Sequence, residues 1–253
     1  MTEKPVTAAL VVIGNEVLSG RTQDTNTQFL GSELKAIGIR LVEVRTIPDD
    51  EDMIVDAVNA LRAHHDYVFT TGGIGPTHDD ITSAAIAKAF GVSLHRDPKA
   101  VEMLRGHYER EAEMTEARLK MTDVPEGAEL VENPVSRAPG FRMENVYVFA
   151  GVPKIMQAMF DGVRGQLKGG APVLATTLSA LVAEGLLAAA LGTIQKQNPK
   201  TEIGSYPFIR SGKLGTAVVV RAQDKGAMET AARQVAAAYR AIGADPDISS
   251  GES

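Results

Sequence analysis

The stretch Tyr67-Val68-Phe69-Thr70-Thr71-Gly72-Gly73-Ile74-Gly75-Pro76-Thr77-His78-Asp79-Asp80 decides the fold. Its first residues read as a short buried strand, three glycines in four positions then turn the chain, and a helix is expected from there to Phe90, with Gly91 as its stop. The same order of strand, turn and helix recurs upstream. Ala8 to Ile13 is an unbroken apolar run, the pattern of a strand buried on both faces of a parallel sheet, and it ends abruptly in Gly14-Asn15-Glu16. Asp24-Thr25-Asn26 then offers helix caps, and Phe29, Leu30, Leu34 and Ile37 share one helical face before Gly38. A second strand, Ile39 to Thr46, passes through Pro48-Asp49-Asp50 into a helix whose apolar face is Ile54, Val55, Val58 and Leu61. Strands alternating with helices at this spacing imply an α/β fold with a mostly parallel sheet and right-handed crossovers.

Further along, Asp97 to about Lys120 reads as one polar outer helix with Pro98 in its first turn. Val124-Pro125-Glu126-Gly127 and the segment from Asn133-Pro134 to Ala138-Pro139-Gly140 bracket short strands. Phe141 to Phe149 reads as a hairpin turning at Glu144-Asn145, and Gly151-Val152-Pro153 opens another helix. Lys168-Gly169-Gly170-Ala171-Pro172 is the expected boundary between a first domain over residues 1–168 and a smaller α+β domain over 172–245. In the smaller domain the pattern predicts a strand from Val173 to Leu178 and a long helix from Leu181 to Lys196. Strands at Glu202 to Phe208 and Thr216 to Arg221 and a helix from Lys225 to Ile242 follow, and residues 246–253 are expected to form a loose tail.

The chain's 253 residues, 44% hydrophobic and 23% charged, suffice for a large core. A net charge of −6 provides no general basic field for nucleic acid or an anionic membrane surface. The absence of cysteine removes disulfides, thiolate catalysis and Cys-based metal sites, and the five histidines show none of the paired spacings of zinc enzymes. Any metal must therefore be held mainly by oxygen. The apolar runs are too short for a signal-peptide core or a membrane span, so a cytoplasmic protein without a membrane partner is expected.

Chemistry concentrates in the glycine-rich turn. Glycine admits positive φ and close backbone approach, so consecutive N–H groups can face phosphate oxygens while a helix N-terminus adds partial positive charge. The segment is neither a Walker loop nor a GxGxxG fingerprint. Asp79 and Asp80 beside such a cradle would repel an anion unless a divalent cation, Mg²⁺, Mn²⁺ or Co²⁺, bridged carboxylate and phosphate oxygens. The plainer alternative is that one Asp caps the helix and the other favours its dipole. Glu16, leaving the first strand beside the topological switch point, is expected across the cleft from Asp79. Ser19-Gly20-Arg21 and Asp24-Thr25-Asn26 supply a cation and hydrogen-bonding groups for a nucleotide or pterin, or else serve as caps and turns. His78 is a metal ligand, a base, or an exposed loop residue.

Residues 8–155 resemble the molybdopterin-binding (MoaB/Mog-like) domain found in competence/damage-inducible protein A and in the N-terminal part of eukaryotic FAD synthases. The resemblance rests on Ile13-Gly14-Asn15-Glu16-Val17-Leu18-Ser19-Gly20, Asp24-Thr25-Asn26, Thr71 to Asp80, Val124 to Ala128, Asn133-Pro134-Val135, Ala138 to Phe141 and Gly151-Val152-Pro153. Ile203-Gly204-Ser205-Tyr206-Pro207 resembles the marker of the family's second domain. The resemblance implies a doubly wound three-layer domain with either of two activities. One is divalent-metal-dependent cleavage of nucleotide pyrophosphates such as ADP-ribose or FAD, with K⁺ as a stimulating ion; the other is molybdopterin binding and adenylylation. By position it implies Asp79 and Asp80 as metal or catalytic carboxylates, with Gly72, Gly73, Gly75 and Thr77 as phosphate cradle. It further implies Glu16, a third catalytic candidate, with Asp24 and Asn26 as the opposite wall, Gly14, Asn15 and Ser19 as ligand-binding positions, and Gly140, Gly151 and Pro153 bordering the ligand. Asn15 departs from the Asp common in the family, which leaves it a neutral ligand at best. A homo-oligomer, dimer or trimer, is expected from the relatives.

Overall fold

A computed structural model describes residues 5–108, 113–171 and 173–252. The chain divides into two compact units that meet in sequence at Gly170 and Ala171. The first opens with β1 (Val6–Ile13), α1 (Asn15–Leu18), α2 (Asn26–Ala36), β2 (Ile39–Ile47), α3 (Glu51–Arg62), β3 (Tyr67–Thr71) and α4 (Thr82–Phe90). It continues through β4 (Leu94–Arg96), α5 (Pro98–Arg105), α6 (Glu116–Leu119), β5 (Asp123–Pro125) and β6 (Glu129–Val131), and closes with β7 (Gly140–Met143), β8 (Val146–Phe149) and α7 (Pro153–Arg164).

The main sheet has the order β2-β1-β3-β8-β7-β6. Its first four strands are parallel, and β7 and β6 add an antiparallel edge through the hairpin at Glu144-Asn145, where Glu144 takes a positive φ of 51°. From β1 the chain goes first to β2 on one side and then to β3 on the other. The carboxyl ends of β1 and β3 therefore flank the switch point, where doubly wound sheets bind ligands.

Strand periodicity assigns the two faces. Val11, Val68 and Val148 pack with Ile54, Val58 and Leu61 of α3 and Ala85 and Ile86 of α4. The opposite face carries Phe69 and Phe149, 5.8 Å apart, with Phe69 6.1 Å from Phe160 of α7 and Phe160 5.8 Å from Phe29 of α2. The result is three layers, as the resemblance implies. Asp50 caps α3 by accepting from Met53 N, and Asp97 caps α5 by accepting from Ala100 N. The single polar helix expected over 97–120 is not formed. It stops at Arg105, where Gly106 ends it, and α6 resumes only at Glu116; part of the span lies outside the described residues.

The second unit holds β9 (Leu174–Ala180), α8 (Ala188–Gln197), β10 (Glu202–Arg210), β11 (Lys213–Ala222), α9 (Lys225–Ala241) and β12 (Asp247–Glu252). Its sheet, β10-β11-β9-β12, is antiparallel throughout and covered on one face by α8 and α9. Leu178, Val218 and Val220 meet Leu191, Ile194, Val235 and Tyr239 there. Two expectations are corrected. The helix predicted from Leu181 begins only at Ala188, after a short 3₁₀ turn over Glu184–Leu186 that Gly185 favours. The tail is not loose, because residues 247–252 pair with β9, Ile248 opposite Leu178, and complete the sheet. Among the described residues no helix is long and apolar enough to cross a membrane.

Candidate functional site

The turn after β3 is glycine at Gly72 and Gly73 for steric reasons. Gly72 has φ 104°, and a Cβ there would lie 2.1 Å from Ile13 O; Gly73 has φ 68°, and a Cβ would lie 2.1 Å from Thr82 Oγ1. Thr82 locks the turn from the helix side, its N–H donating to Gly73 O at 2.9 Å and its Oγ1 to Gly72 O at 3.0 Å. The Gly72 N–H donates to Phe149 O at 3.1 Å, which takes it out of the expected cradle.

Asp79 and Asp80 do not open α4. The helix starts at Thr82 after Ile81, with no side-chain cap, so the capping alternative for the two carboxylates fails. Both turn instead onto Thr77. Thr77 N donates to Asp80 Oδ2 at 2.8 Å, and Thr77 Oγ1 lies 2.6 Å from Asp79 Oδ1 and as near to Asp80 Oδ2. A hydroxyl carries one proton, so it satisfies one of these carboxylates and leaves the other facing it as a second acceptor. Asp80 also sits over Gly75, where a Cβ would fall 2.6 Å from Asp80 Oδ2. Lys120 also reaches this loop, donating from Nζ to Thr77 O at 2.6 Å. The Thr77 hydroxyl, the Asp79 backbone N–H and the charges of His78 and Lys120 hold the Asp79 carboxyl below the usual carboxylate range. His78 stands almost fully in solvent, its Nδ1 3.9 Å from Asp79.

The residues expected on the opposite wall make contacts of their own, none of them with Asp79 or Asp80 among those described. Glu16 folds back so that a Cβ on Gly14 would be 2.6 Å from its Oε2. Asn15 N donates to Asp49 Oδ2, and Ser19 Oγ to Glu16 O. Asp24 caps α2, its Oδ1 accepting from Asn26 N at 2.9 Å and Thr27 N at 3.2 Å and its Oδ2 from the Thr27 hydroxyl. Asn26, 5% exposed, donates from Nδ2 to Gly151 O at 2.8 Å. Gly151 in turn packs on Gly72, a Cβ there coming within 3.2 Å of Gly72 Cα, and Pro153 starts α7. Gly140 is glycine for packing, because a Cβ would strike Val148 O and the Met159 methyl. Among the described residues no three Asp, Glu, His or Cys side chains gather closely enough to hold a metal ion, so Glu16 does not join the Asp pair in such a group. The hollow beside the turn, bounded by Gly75, Asp80, Ser83, Lys120 and Asp123, has a volume of about 70 Å³. A larger one of about 350 Å³ lies elsewhere, between Glu129, Arg142, Tyr147 and Gln166.

With this geometry in hand, residues 9–169 match the family described as a probable molybdopterin binding domain. The chain belongs to that family. Residues 172–245 match the middle domain of FAD synthase. A protein of Pyrobaculum calidifontis is 36% identical over 211 residues, covering 79% of this chain and 80% of its own length. A probable FAD synthase of Caenorhabditis briggsae is 31% identical over 253 residues, which is 88% of this chain and 47% of that longer protein. Among solved structures, the protein CinA of unknown function from Thermoplasma acidophilum aligns with a TM-score of 0.60 at 34% identity, over 64% of this chain and 99% of that one.

Two residues of the site escape a reading of the sequence alone. Lys120 lies 43 positions from the loop it contacts. Thr71, read only as part of the turn, is buried at the strand's end with no partner for its hydroxyl.

Proposed function

We propose that the first unit is a divalent-metal-dependent hydrolase of nucleotide pyrophosphates, of the ADP-ribose or FAD type, working at the Gly73–Asp80 turn. The observation that carries this reading is the convergence of two carboxylates on the single hydroxyl of Thr77, beside a glycine turn at the switch point. Such a pair is best satisfied by a cation. Mg²⁺ in nucleotide sites is commonly held by one or two carboxylates together with phosphate oxygens and water, without a protein cage. Asp79 and Asp80 fit that donor set.

When bound, the ion would supply Lewis-acid polarisation of the phosphoryl oxygens and activation of water. The chain's own residues do the rest. Asp79, ionised at any physiological pH, and Asp80 would hold the ion. The N–H groups of Gly73 to Gly75 would take up charge developing on the phosphate, an electrostatic term worth roughly 3 kcal/mol per donor where such donors have been removed. Lys120, fixed on Thr77 O, adds positive charge beside the same turn. The similarity to a probable FAD synthase supports a dinucleotide pyrophosphate as substrate.

Hydrolysis of ADP-ribose and FAD with Mg²⁺, Mn²⁺ or Co²⁺ tests the reading. Asp79→Asn and Asp80→Asn should each lower turnover by about 10²-fold or more while leaving the melting temperature unchanged. Unchanged rates in both variants would end the assignment. The family's name favours a second reading, binding of molybdopterin through its phosphate at the same cradle. Pterin fluorescence retained through purification, with no hydrolysis of any nucleotide tested, would decide for it.

A further inference from the structure

Among the described residues four buried side-chain polar atoms have no hydrogen-bond partner: Asn26 Oδ1, Thr70 Oγ1, Thr71 Oγ1 and His65 Nδ1. Buried polar atoms are nearly always paired, so each exception calls for a reason. Three of the four lie at the carboxyl end of β3 or the first turn of α2, where the proposed site is.

Strand parity separates the two threonines. Thr70 pairs laterally with Val11 and Val148 and so faces the α3 and α4 layer. Thr71 pairs with Val12 and Phe149, follows Phe69 by two residues, and faces the α2 and α7 layer. Asn26 starts α2 on that same side. Its Nδ2 is fixed on Gly151 O, so the end left over is the acceptor, Oδ1. Gly151 packs against Gly72, the residue after Thr71, so one backbone contact links the two unpaired groups.

The chemistry of this pair selects its ligand. A phosphate oxygen only accepts hydrogen bonds and has nothing to gain from Asn26 Oδ1. An amine only donates, and would leave the Thr71 proton unpaired. A hydroxyl can donate to Asn26 Oδ1 while accepting from Thr71 Oγ1, which satisfies both. We propose that Asn26 Oδ1 and Thr71 Oγ1 receive a sugar hydroxyl of a nucleoside diphosphate and set the sugar specificity of the site. The proposal rests on the pyrophosphatase reading for the place of the phosphates, which lie against Gly73 to Gly75.

Calorimetric binding of ADP and of 2′,3′-dideoxy-ADP, with Mg²⁺ and without turnover, tests it. The wild-type protein should prefer ADP by about tenfold or more. Thr71→Val, which keeps the volume and removes an unpaired hydroxyl, should bring the preference close to one without lowering the melting temperature. Thr71→Ser should restore the preference, and Thr70→Val, on the other face, should leave it as in the wild type. A wild-type protein indifferent to the sugar hydroxyls, or a Thr71→Val variant that keeps the full preference, overturns the proposal even if ADP-ribose is hydrolysed. The expected preferences in a protein that cleaves no pyrophosphate would sink the hydrolase alone, and absence of ADP binding would sink both.

Discussion

In the second unit the buried hydroxyls of Tyr239, Thr216 and Thr201 all find protein acceptors. Tyr239 donates to Thr216 O at 2.8 Å with Leu178 O 3.2 Å away, Thr216 Oγ1 donates to Val182 O, and Thr201 Oγ1 donates to Asn198 O. In the first unit Thr70, Thr71 and Asn26 keep polar atoms unpaired at one end of the sheet, and two carboxylates there compete for one hydroxyl. Among the described residues the antiparallel unit leaves no buried side-chain polar atom without a partner. The parallel unit leaves polar groups open where its strands end, and local rules of pairing are broken mainly at functional sites.

The largest effect that bears on this contrast belongs to Gly72. Gly72→Ala puts a methyl 2.1 Å from Ile13 O at a φ of 104°, and should destabilise the first unit by roughly 3 kcal/mol or more. Urea unfolding followed by hydrogen exchange at the β3 amides measures this; a loss below about 1 kcal/mol would mean that the turn relaxes and its closeness to β1 is not obligatory. Tyr239→Phe comes next, at about 1–3 kcal/mol, because it strips the hydroxyl donor from the buried Thr216 carbonyl. Burial also pushes the Tyr239 hydroxyl up to about 12. A group raised on folding stabilises fully below its unfolded value, so the second unit should hold its stability to about pH 10 and lose it as the pH climbs toward the folded value. Equal alkaline stability in the Phe variant and the wild type would contradict that origin. Smallest is Thr77→Val, which removes the leading cause of the lowered Asp79 pKa. The titration midpoint of Asp79, followed by carboxyl NMR, should move up toward the ordinary carboxylate range, and a fixed midpoint would show that the hydroxyl is not what holds it down.

The first unit was legible wherever burial imposes a pattern. The apolar runs of β1 and β3, the helical faces of α2 and α3, and Gly38 and Gly91 at positive φ all stand in the sequence as plainly as in space. Polar or interrupted segments were not. β12 contains a single large apolar residue, Ile248, and forms only because β9 presents an open edge, a long-range fact with no local mark. Gly106 ended the helix that the charged residues after it suggested, and Gly185 delayed another. At the site, the glycines announced the turn, but the capture of Asp79 and Asp80 by Thr77 depends on side-chain directions that residue spacing does not encode. Lys120 was invisible for the same reason that it matters, since it arrives from a distant part of the chain.

Gly72 and Gly151 meet main chain to main chain with no side chain between them, and Asn26 clasps the second of the two. A Cβ at position 151 would therefore press on Gly72 and push the loops after β3 and β8 a few tenths of an ångström apart.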